Sequence, residues 1–216
     1  MIEAVVFDMD GVIVDSEQRW EAVRRRLVLD SGREYPDGAT RAMQGMSAPE
    51  WEAYLHDELG VPDAPAEIGR RVVDAIADSY REDLPLLPGA AEAIRALAAR
   101  YPLAVASSSN RELIELALDL AGLADAFGAV VSSEEVDQGK PAPDVYLEAA
   151  ARLGIAAQDC AAVEDSSNGL RSAHAAGMRV IAVPNRAYPP AADALALADV
   201  VLDSITELTA EVVHDA

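Results

Sequence analysis

Two aspartates near the start of the chain, Asp8 and Asp10, are spaced for joint chemistry. They follow an apolar run, Ala4 to Phe7, that is typical of a buried strand in a parallel sheet. Side chains two residues apart on an extended segment point the same way, so both carboxylates should face one pocket. Because two converging carboxylates repel each other, keeping both ionised requires a cation such as Mg²⁺.

Two more polar groups follow predicted strands further along the chain. Ser107, Ser108 and Ser109 come just before a helix, where hydroxyls and the free N–H groups of the helix start form an anion site suited to a phosphate. Glu164 and Asp165 come at another strand-to-helix turn and add two carboxylates. Both groups also have a simpler interpretation as ordinary helix caps, in which Ser109 would form a capping box with Glu112. The two interpretations are compatible, since one serine can cap the helix while another binds an anion.

The chain contains sixteen arginines but one lysine, Lys140. Arginine would serve an ordinary surface charge equally well, whereas a compact ammonium is not replaced by a planar guanidinium. Two prolines, Pro141 and Pro143, stiffen the loop that follows it. We therefore predict that Lys140 is functional rather than a solvated loop residue.

The elements that must bring these groups together alternate between strand and helix in the second half of the chain. Alternation of this kind predicts an α/β fold, with a Rossmann-like, doubly wound parallel sheet. Such sheets bind ligands at the carboxyl ends of their strands. The predicted strands are Leu103 to Ser107, Ala129 to Ser132, Ala161 to Glu164, Val180 to Val183 and Val200 to Leu202. The predicted helices are Ser109 to Ala121, Asp144 to Leu153, Asn168 to Ala176 and Ala191 to Leu197.

Residues 16 to 83 show helical spacing and no credible strand, which predicts an all-helical cap inserted after the first strand. Its first helix should begin with a capping box of Asp15 and Gln18, its second at Ser47 with Glu50, and its third near Ala66. Residues 1–15 and 84–216 then form the core. The two crossings, at 15–16 and at the proline-rich 84–88, suit a hinged lid over the pocket.

Composition excludes several classes of partner. A net charge of −21 makes nucleic acid and anionic membrane surfaces poor partners. One cysteine, Cys160, rules out an internal disulfide and fits a reducing compartment, with the thiol buried as a small apolar side chain. With no charged-then-apolar leader and no apolar run of about 18 residues, we expect a cytoplasmic protein.

These motifs together resemble those of the haloacid dehalogenase superfamily, in the branch of β-phosphoglucomutase-like and sugar-phosphate phosphatases with a helical cap. Asp8-Met9-Asp10-Gly11-Val12 matches the first motif and Ser107 the second. Lys140, with the 141–144 segment that follows it, matches the third, and Glu164-Asp165-Ser166 the fourth. The resemblance covers essentially the whole chain.

The resemblance implies a phosphatase acting on a small phosphorylated metabolite. Asp8 would attack phosphorus and form an aspartyl-phosphate, and Asp10 would act as general acid and then base. Asp8, the main-chain carbonyl of Asp10, and Asp165 would hold Mg²⁺. Ser107 and the Ser108 N–H would bind phosphoryl oxygens, and Lys140 would bridge them to Asp8. Glu164 would be a further ligand or a partner of the ligands.

Other activities of the superfamily fit less well. Asp10 argues against a dehalogenase, which lacks this second aspartate, and the absence of lysine from residues 16–83 argues against a phosphonate hydrolase. The mutase pattern has a histidine where this chain has Trp20 and a basic residue after Gly45-Met46-Ser47, where Ala48 stands. The cap therefore looks poorly equipped for a second phosphate.

Asp15-Ser16-Glu17 followed by Trp20 looks more like the sugar-phosphate and hexitol-phosphate phosphatases of the branch. Trp51, on a helical stripe, is interpreted as a core residue. A phosphomutase remains an alternative. From a different class, a receiver-like signalling module also combines acids, a hydroxyl and a lysine over a parallel sheet, but the helical insert and the spacing of Asp8 and Asp10 disfavour it.

Overall fold

The sheet is fully parallel, and the first strand of the chain lies inside it. The computed structural model describes residues 1–43, 46–186 and 188–215. Its strand order is β3-β2-β1-β4-β5-β6. The strands are β1 (Ala4–Phe7), β2 (Leu103–Ser107), β3 (Ala129–Ser132), β4 (Cys160–Glu164), β5 (Arg179–Ala182) and β6 (Val200–Val201).

Helices cover the sheet and fill the segment after its first strand. They are α1 (Glu17–Asp30), α2 (Ala39–Met43), α3 (Ala48–Asp57), α4 (Pro65–Glu82), α5 (Ala90–Ala98), α6 (Arg111–Ala121), α7 (Asp144–Leu153), α8 (Ser167–Ala175), α9 (Ala192–Leu195) and α10 (Ala210–Asp215). The predicted fold class, a doubly wound parallel sheet with a helical insert, is confirmed.

Alternate residues of β1 enter two different apolar layers. Val5 and Phe7 belong to a layer that also holds buried residues of α5 and α6. Ala4 and Val6 belong to the opposite layer, which holds buried residues of α7 and α8. Because both faces are covered, the strand is apolar throughout, as is typical of parallel sheets.

The helical segment shares a continuous apolar core with one face of the sheet. No strand occurs among its described residues, and the buried stripe of α4 includes Ile68, Val72 and Ile76. The two crossing segments are hydrogen-bonded to each other, since the Asp15 N–H donates to the Pro85 carbonyl at 2.8 Å. The division into a core of 1–15 and 84–216 and a cap of 16–83 stays a prediction, as does its motion as a lid.

Of the three capping boxes considered from the sequence, two do not form. Helix α1 follows Ser16 rather than Asp15, and α6 begins at Arg111 with Asn110 as its N-cap, so neither predicted capping box forms there. The third is confirmed, because the Ser47 N–H donates to Glu50 Oε2 at 2.7 Å at the start of α3. Three helices, α2, α5 and α10, were not predicted.

Candidate active site

The strand order explains why residues far apart in the chain meet at one edge. β1 lies between β2 and β4, with Phe7 in register with Val105 on one side and Val163 on the other. The residues that follow these strands therefore emerge side by side at the carboxyl edge of the sheet. Asp8 follows β1 directly, and its N–H donates to the Val163 carbonyl at 3.0 Å.

Lys140 bridges two of these strand ends. Its Nζ donates to Asp8 Oδ1 at 2.8 Å and to Glu164 Oε1 at 2.6 Å. All three side chains are buried. A buried ammonium must be offset by nearby negative charge, and that charge comes from Glu164 at the end of β4 and from Asp8 directly after the neighbouring β1. The predicted functional lysine thus contacts the predicted nucleophile.

Tyr146, on α7, completes this buried group and was missed by the sequence analysis. Its hydroxyl donates to Glu164 Oε1 at 2.8 Å, and its ring lies 4.9 Å from Lys140 Nζ. Helical spacing indicates only that Tyr146 is a core residue. Its hydroxyl can be assigned a partner only once α7 is packed against the sheet, where the hydroxyl reaches Glu164 of β4.

Glu164 has both carboxylate oxygens engaged. Oε1 accepts from Lys140 and Tyr146, and Oε2 accepts from the N–H groups of Asp165 and Ser166 and from the Ser166 hydroxyl. Gly169 packs so closely that a Cβ placed there would lie 1.7 Å from Glu164 Oε1. This arrangement holds Glu164 as the anchor of Lys140.

Asp10 is held by a separate set of hydroxyls. Ser109 Oγ donates to Asp10 Oδ2 at 2.6 Å, Ser107 Oγ lies 3.4 Å from the same oxygen, and Ser16 Oγ donates to Oδ1. Ser109 therefore does not cap α6, because its hydroxyl is directed to Asp10, and Ser16, which precedes α1, directs its hydroxyl to the same carboxylate. Serine at a helix start is normally interpreted as a cap, so sequence did not reveal this role.

Asp165 and Ser108 take the remaining predicted positions. The Asp165 carboxylate lies against the turn after β1, so close that a Cβ on Gly11 would be 2.0 Å from Oδ2. Ser166, not Asp165, is the N-cap of α8, with its side chain accepting from the Gly169 N–H. Ser108 is half-buried and lines the cavity described below.

Negative charge is in excess at this strand edge. Burial raises the pKa of Asp8 to about 8 against the opposing attraction of Lys140, and burial with nearby Glu164 also raises the pKa of Asp165. Burial alone would lower the pKa of Lys140, but the attraction of Asp8 and Glu164 outweighs it and raises that pKa. Three buried carboxylates thus share one ammonium.

The same carboxylates fit a divalent cation. One oxygen each from Asp8, Glu164 and Asp165 lies within 4.8 Å of the others. Carboxylate oxygens are the donors preferred by hard cations such as Mg²⁺. Since both oxygens of Glu164 are already engaged, Asp8 and Asp165 are the better-suited ligands. Both carboxylate oxygens of Asp10 are hydrogen-bonded to serine hydroxyls, so the main-chain carbonyl of Asp10 is the oxygen of this residue that is available as a metal ligand.

A cavity of about 510 Å³ lies between this edge and the helical segment. Its floor includes Asp8, Asp10 and Lys140, and its other wall includes residues of α1, α2 and α3. Two of these are arginines, Arg24 and Arg41, so basic groups do line the cavity, contrary to the expectation of a poorly equipped cap. Ala48 is buried at the start of α3. Gly45 of the same mutase-like pattern lies outside the described residues.

The two tryptophans combine a place in the core with a place in the cavity wall. Trp51 is buried in the core, as expected, but it also lines the cavity together with Trp20. Their ring centroids are 6.0 Å apart. Both contact the guanidinium of Arg24, which the sequence analysis did not single out.

Comparison with known proteins establishes the family. A family model described as a haloacid dehalogenase-like hydrolase matches residues 2–177. The chain belongs to the haloacid dehalogenase-like hydrolases. The resemblance stated from the motifs is thereby confirmed, and a hydrolase is favoured over the receiver-like module.

Two curated relatives of this family are named phosphatases. The chain is 39% identical to hexitol phosphatase B of Escherichia coli K12, over 97% of this chain and 96% of the relative. It is 32% identical to fructose-1-phosphate phosphatase YqaB of the same organism, over 83% and 95% respectively. The prediction of an enzyme of the haloacid dehalogenase phosphatase type is confirmed by this family membership and these relatives.

Solved structures show the same fold. CbbY from Rhodobacter sphaeroides, in complex with phosphate, superposes with a TM-score of 0.88 at 28% identity, covering 99% of this chain and all of that one. A β-phosphoglucomutase from Clostridium difficile superposes with a TM-score of 0.85 at 22% identity, covering 100% of this chain and 96% of that one.

Among the described residues, no helix combines the length and apolar character needed to cross a membrane.

Proposed function

We propose that this hydrolase is a Mg²⁺-dependent phosphatase that releases phosphate from a small phosphorylated sugar or sugar alcohol. The observation that carries the proposal is the separation of two aspartates into different environments at one cavity. Asp8 is paired with the Lys140 ammonium, whereas Asp10 is held by the hydroxyls of Ser16 and Ser109. Such a difference suits two distinct roles, one nucleophilic and one in proton transfer.

In the first step, an Asp8 carboxylate oxygen attacks phosphorus, and the bond between phosphorus and the alcohol oxygen breaks. Lys140 contacts Asp8 at 2.8 Å and is positioned to balance charge on both the carboxylate and the incoming phosphoryl group. Asp10 gives its proton to the departing alkoxide, so the alcohol leaves neutral.

In the second step, Asp10 removes a proton from water, and the water oxygen attacks the phosphorus of the aspartyl-phosphate. The Asp8–phosphorus bond breaks, which returns the carboxylate and releases inorganic phosphate. The hydroxyls that hold Asp10 keep it oriented through both proton transfers. Ser107 and the N–H of Ser108, at the end of β2, bind the phosphoryl oxygens.

Asp8, Asp165 and the main-chain carbonyl of Asp10 would hold the metal, with the engaged carboxylate of Glu164 beside them. When bound, Mg²⁺ neutralises charge on the phosphoryl oxygens during transfer. The proposal of a divalent cation rests on the shared chemistry of these oxygen donors and on the excess of carboxylates over cations at this edge.

The substrate class and the cap complete the proposal. Relatives named for hexitol, fructose 1-phosphate and phosphorylated carbohydrates support a phosphorylated sugar or sugar alcohol. Residues 16–83 act as a hinged cap that closes over the phosphate and excludes bulk water, while the single water molecule that hydrolyses the intermediate is admitted to Asp10. A small, soluble metabolite of this kind also fits a cytoplasmic enzyme.

The test is a phosphate-release assay with the purified protein, Mg²⁺ and a panel of phosphorylated sugars and polyols. We expect multiple turnovers, and acid quenching should trap a phosphorylated peptide that contains Asp8. Asp8→Asn should remove both signals. Conversion of a sugar phosphate to an isomer without phosphate release would instead assign a phosphomutase. A single phosphorylation without turnover would contradict both enzymes.

A further inference from the structure

Arg24 occupies an unusual environment in the wall of the cavity. Its guanidinium carbon lies 4.6 Å from the ring centroid of Trp20 and 4.9 Å from that of Trp51. Trp20 is one turn earlier on α1, and Trp51 comes from α3. Two aromatic faces attract the cation and fix the plane of its donors, so the group is preorganised.

The side chain is buried, yet its hydrogen-bonding capacity is incompletely used. Arg24 is 8% exposed, and its Nε has no hydrogen-bond partner in the described part of the chain. Burial lowers the pKa of Arg24 to about 10, with Glu17 opposing the shift, which reflects the cost of holding this charge away from water. A buried donor without a partner is destabilising unless something else binds it.

The neighbouring arginines of α1 show the ordinary alternative. Arg25 and Arg26 are exposed and lie near acids one turn away, Glu21 at 3.8 Å and Asp30 at 3.6 Å. Arg24, in the same run of three, instead faces the cavity that holds Asp8 and Asp10. The protein carries a net charge of −21, so it has no general cationic surface to which Arg24 could belong. The inward position of this guanidinium therefore needs an explanation of its own.

The cavity is larger than a phosphate requires. Its volume of about 510 Å³ is in the range of pockets that enclose small organic ligands. With the phosphoryl group at the floor, the leaving group must extend toward the wall that carries Arg24. Arg41 of α2 adds a second guanidinium to the lining.

We propose that Arg24 is a specificity-determining residue that binds an anionic oxygen group, a carboxylate or a second phosphate, on the leaving group of the substrate. This inference rests on the proposed phosphatase function. It assigns the preferred substrates to phosphorylated sugar acids or sugar bisphosphates rather than to neutral polyol phosphates. A planar guanidinium recognises either group through paired hydrogen bonds.

Two matched substrate pairs test the proposal. Glucitol 6-phosphate and gluconate 6-phosphate differ only in replacing a terminal alcohol by a carboxylate, and fructose 6-phosphate and fructose 1,6-bisphosphate differ by one phosphate. We expect kcat/KM to favour the anionic member of at least one pair by about tenfold or more, as for a hydrogen bond to a charged group. The pair that shows the preference identifies the anion.

Arg24→Met retains the length of the side chain and removes its charge. It should reduce the ratio of kcat/KM between the two members by about tenfold, mainly through KM of the anionic substrate. Arg24→Lys keeps the charge but loses the planar fork, so it should reduce the same kcat/KM ratio by less than Arg24→Met does. If Arg24→Met does not fold, a reduced ratio in Arg24→Lys supports the proposal and an unchanged ratio contradicts it. Arg26→Met, on the exposed side of α1, is the matched control and should leave the ratio unchanged.

A binding measurement separates this inference from the proposed function. Trp20 and Trp51 are the only tryptophans of the chain, so their fluorescence should report an anion at Arg24. With Asp8→Asn protein, gluconate 6-phosphate or the bisphosphate should change the emission at lower concentration than its neutral partner, and Arg24→Met in that background should remove the difference.

Equal kcat/KM within both pairs, or ratios that survive Arg24→Met, would overturn the role of Arg24 while leaving a phosphatase intact. If p-nitrophenyl phosphate is not hydrolysed either, the proposed function fails. The fluorescence comparison then still decides the inference, since equal titrations for the paired ligands would refute it.

Discussion

At the scale of single residues, the site depends on one ammonium placed between two buried carboxylates. Lys140 contacts Asp8 and Glu164 at once, and the three groups come from a loop and from the ends of two adjacent strands. The compact shape of the lysine head group allows this, because both acceptors are reached from one nitrogen. The aromatic ring of Tyr146 closes a further side of the nitrogen.

Lys140→Arg is expected to lower kcat by about 100-fold or more, the usual scale for removing an aimed electrostatic contact in an active site. A guanidinium is wider and planar and cannot occupy the same buried space between Asp8 and Glu164. The measurement is steady-state kinetics with saturating Mg²⁺, accompanied by a thermal melt. An unchanged kcat would return Lys140 to a structural role.

Asp10→Asn should separate the two halves of the reaction. With p-nitrophenyl phosphate, whose leaving group needs little protonation, phosphorylation of Asp8 should continue slowly, while hydrolysis should nearly stop because water lacks its base. Rapid quench followed by mass spectrometry should show phosphoenzyme accumulating. Steady turnover at the wild-type rate would assign the proton transfer to another group.

At the scale of elements, helix α8 and strand β4 are joined by the contact between Gly169 and Glu164. There is no space for a methyl group, since a Cβ on Gly169 would lie within about 2 Å of three Glu164 atoms. Five donors hold that carboxylate in place, so it cannot move aside without losing its contact to Lys140.

Gly169→Ala should therefore lower both thermal stability and kcat. The matched control is Gly69→Ala in α4, where a Cβ would meet Glu52 Oε1 at 2.0 Å but that glutamate is only half-buried and can rotate away. There, helix propensity should dominate and change stability by no more than about 1 kcal/mol. Equal effects of the two substitutions in thermal melts would contradict the pinned position of Glu164.

The strands and the motif residues could be predicted because each is indicated by residues that are adjacent in the sequence. A continuous apolar run that stops at an acid indicates both the strand β1 and the position of Asp8. Helix α2, with five residues, lacks enough turns to show a period. The buried Ile94 and Leu97 of α5 lie three residues apart on one face, so the signal for that helix was present in the sequence and was overlooked. The role of Arg24 could not be predicted from the sequence, because Trp20 and Trp51 surround its guanidinium only when α1 and α3 pack together.

At the scale of the whole molecule, the strong acidity and the buried carboxylates act in the same direction. The net charge of −21 adds a long-range repulsion to the local excess at Asp8, Glu164 and Asp165. A divalent cation bound at this site would reduce the repulsion among the three carboxylates. Metal binding should therefore stabilise the folded state as well as support catalysis.

Removal of divalent ions with EDTA is expected to abolish phosphatase turnover, and millimolar Mg²⁺ should restore it. Added Mg²⁺ should also raise Tm more than Na⁺ at the same ionic strength, because only specific binding persists when screening is matched. Asp165→Asn should diminish this difference in Tm. Full turnover after exhaustive EDTA treatment would exclude a metal-dependent phosphatase.

The central position of β1 has a consequence for how the chain acquires its structure. Strand β1 pairs with β2 on one side and with β4, beginning at Cys160, on the other, and it is synthesised before both of them. Neither neighbour exists while β1 leaves the ribosome, at about 5–20 residues per second. The apolar segment Ala4–Phe7 therefore stays without its partner strands while the helical segment is translated. Contacts of such large sequence separation make folding slow, and the nascent chain depends on protection until most of its length has emerged.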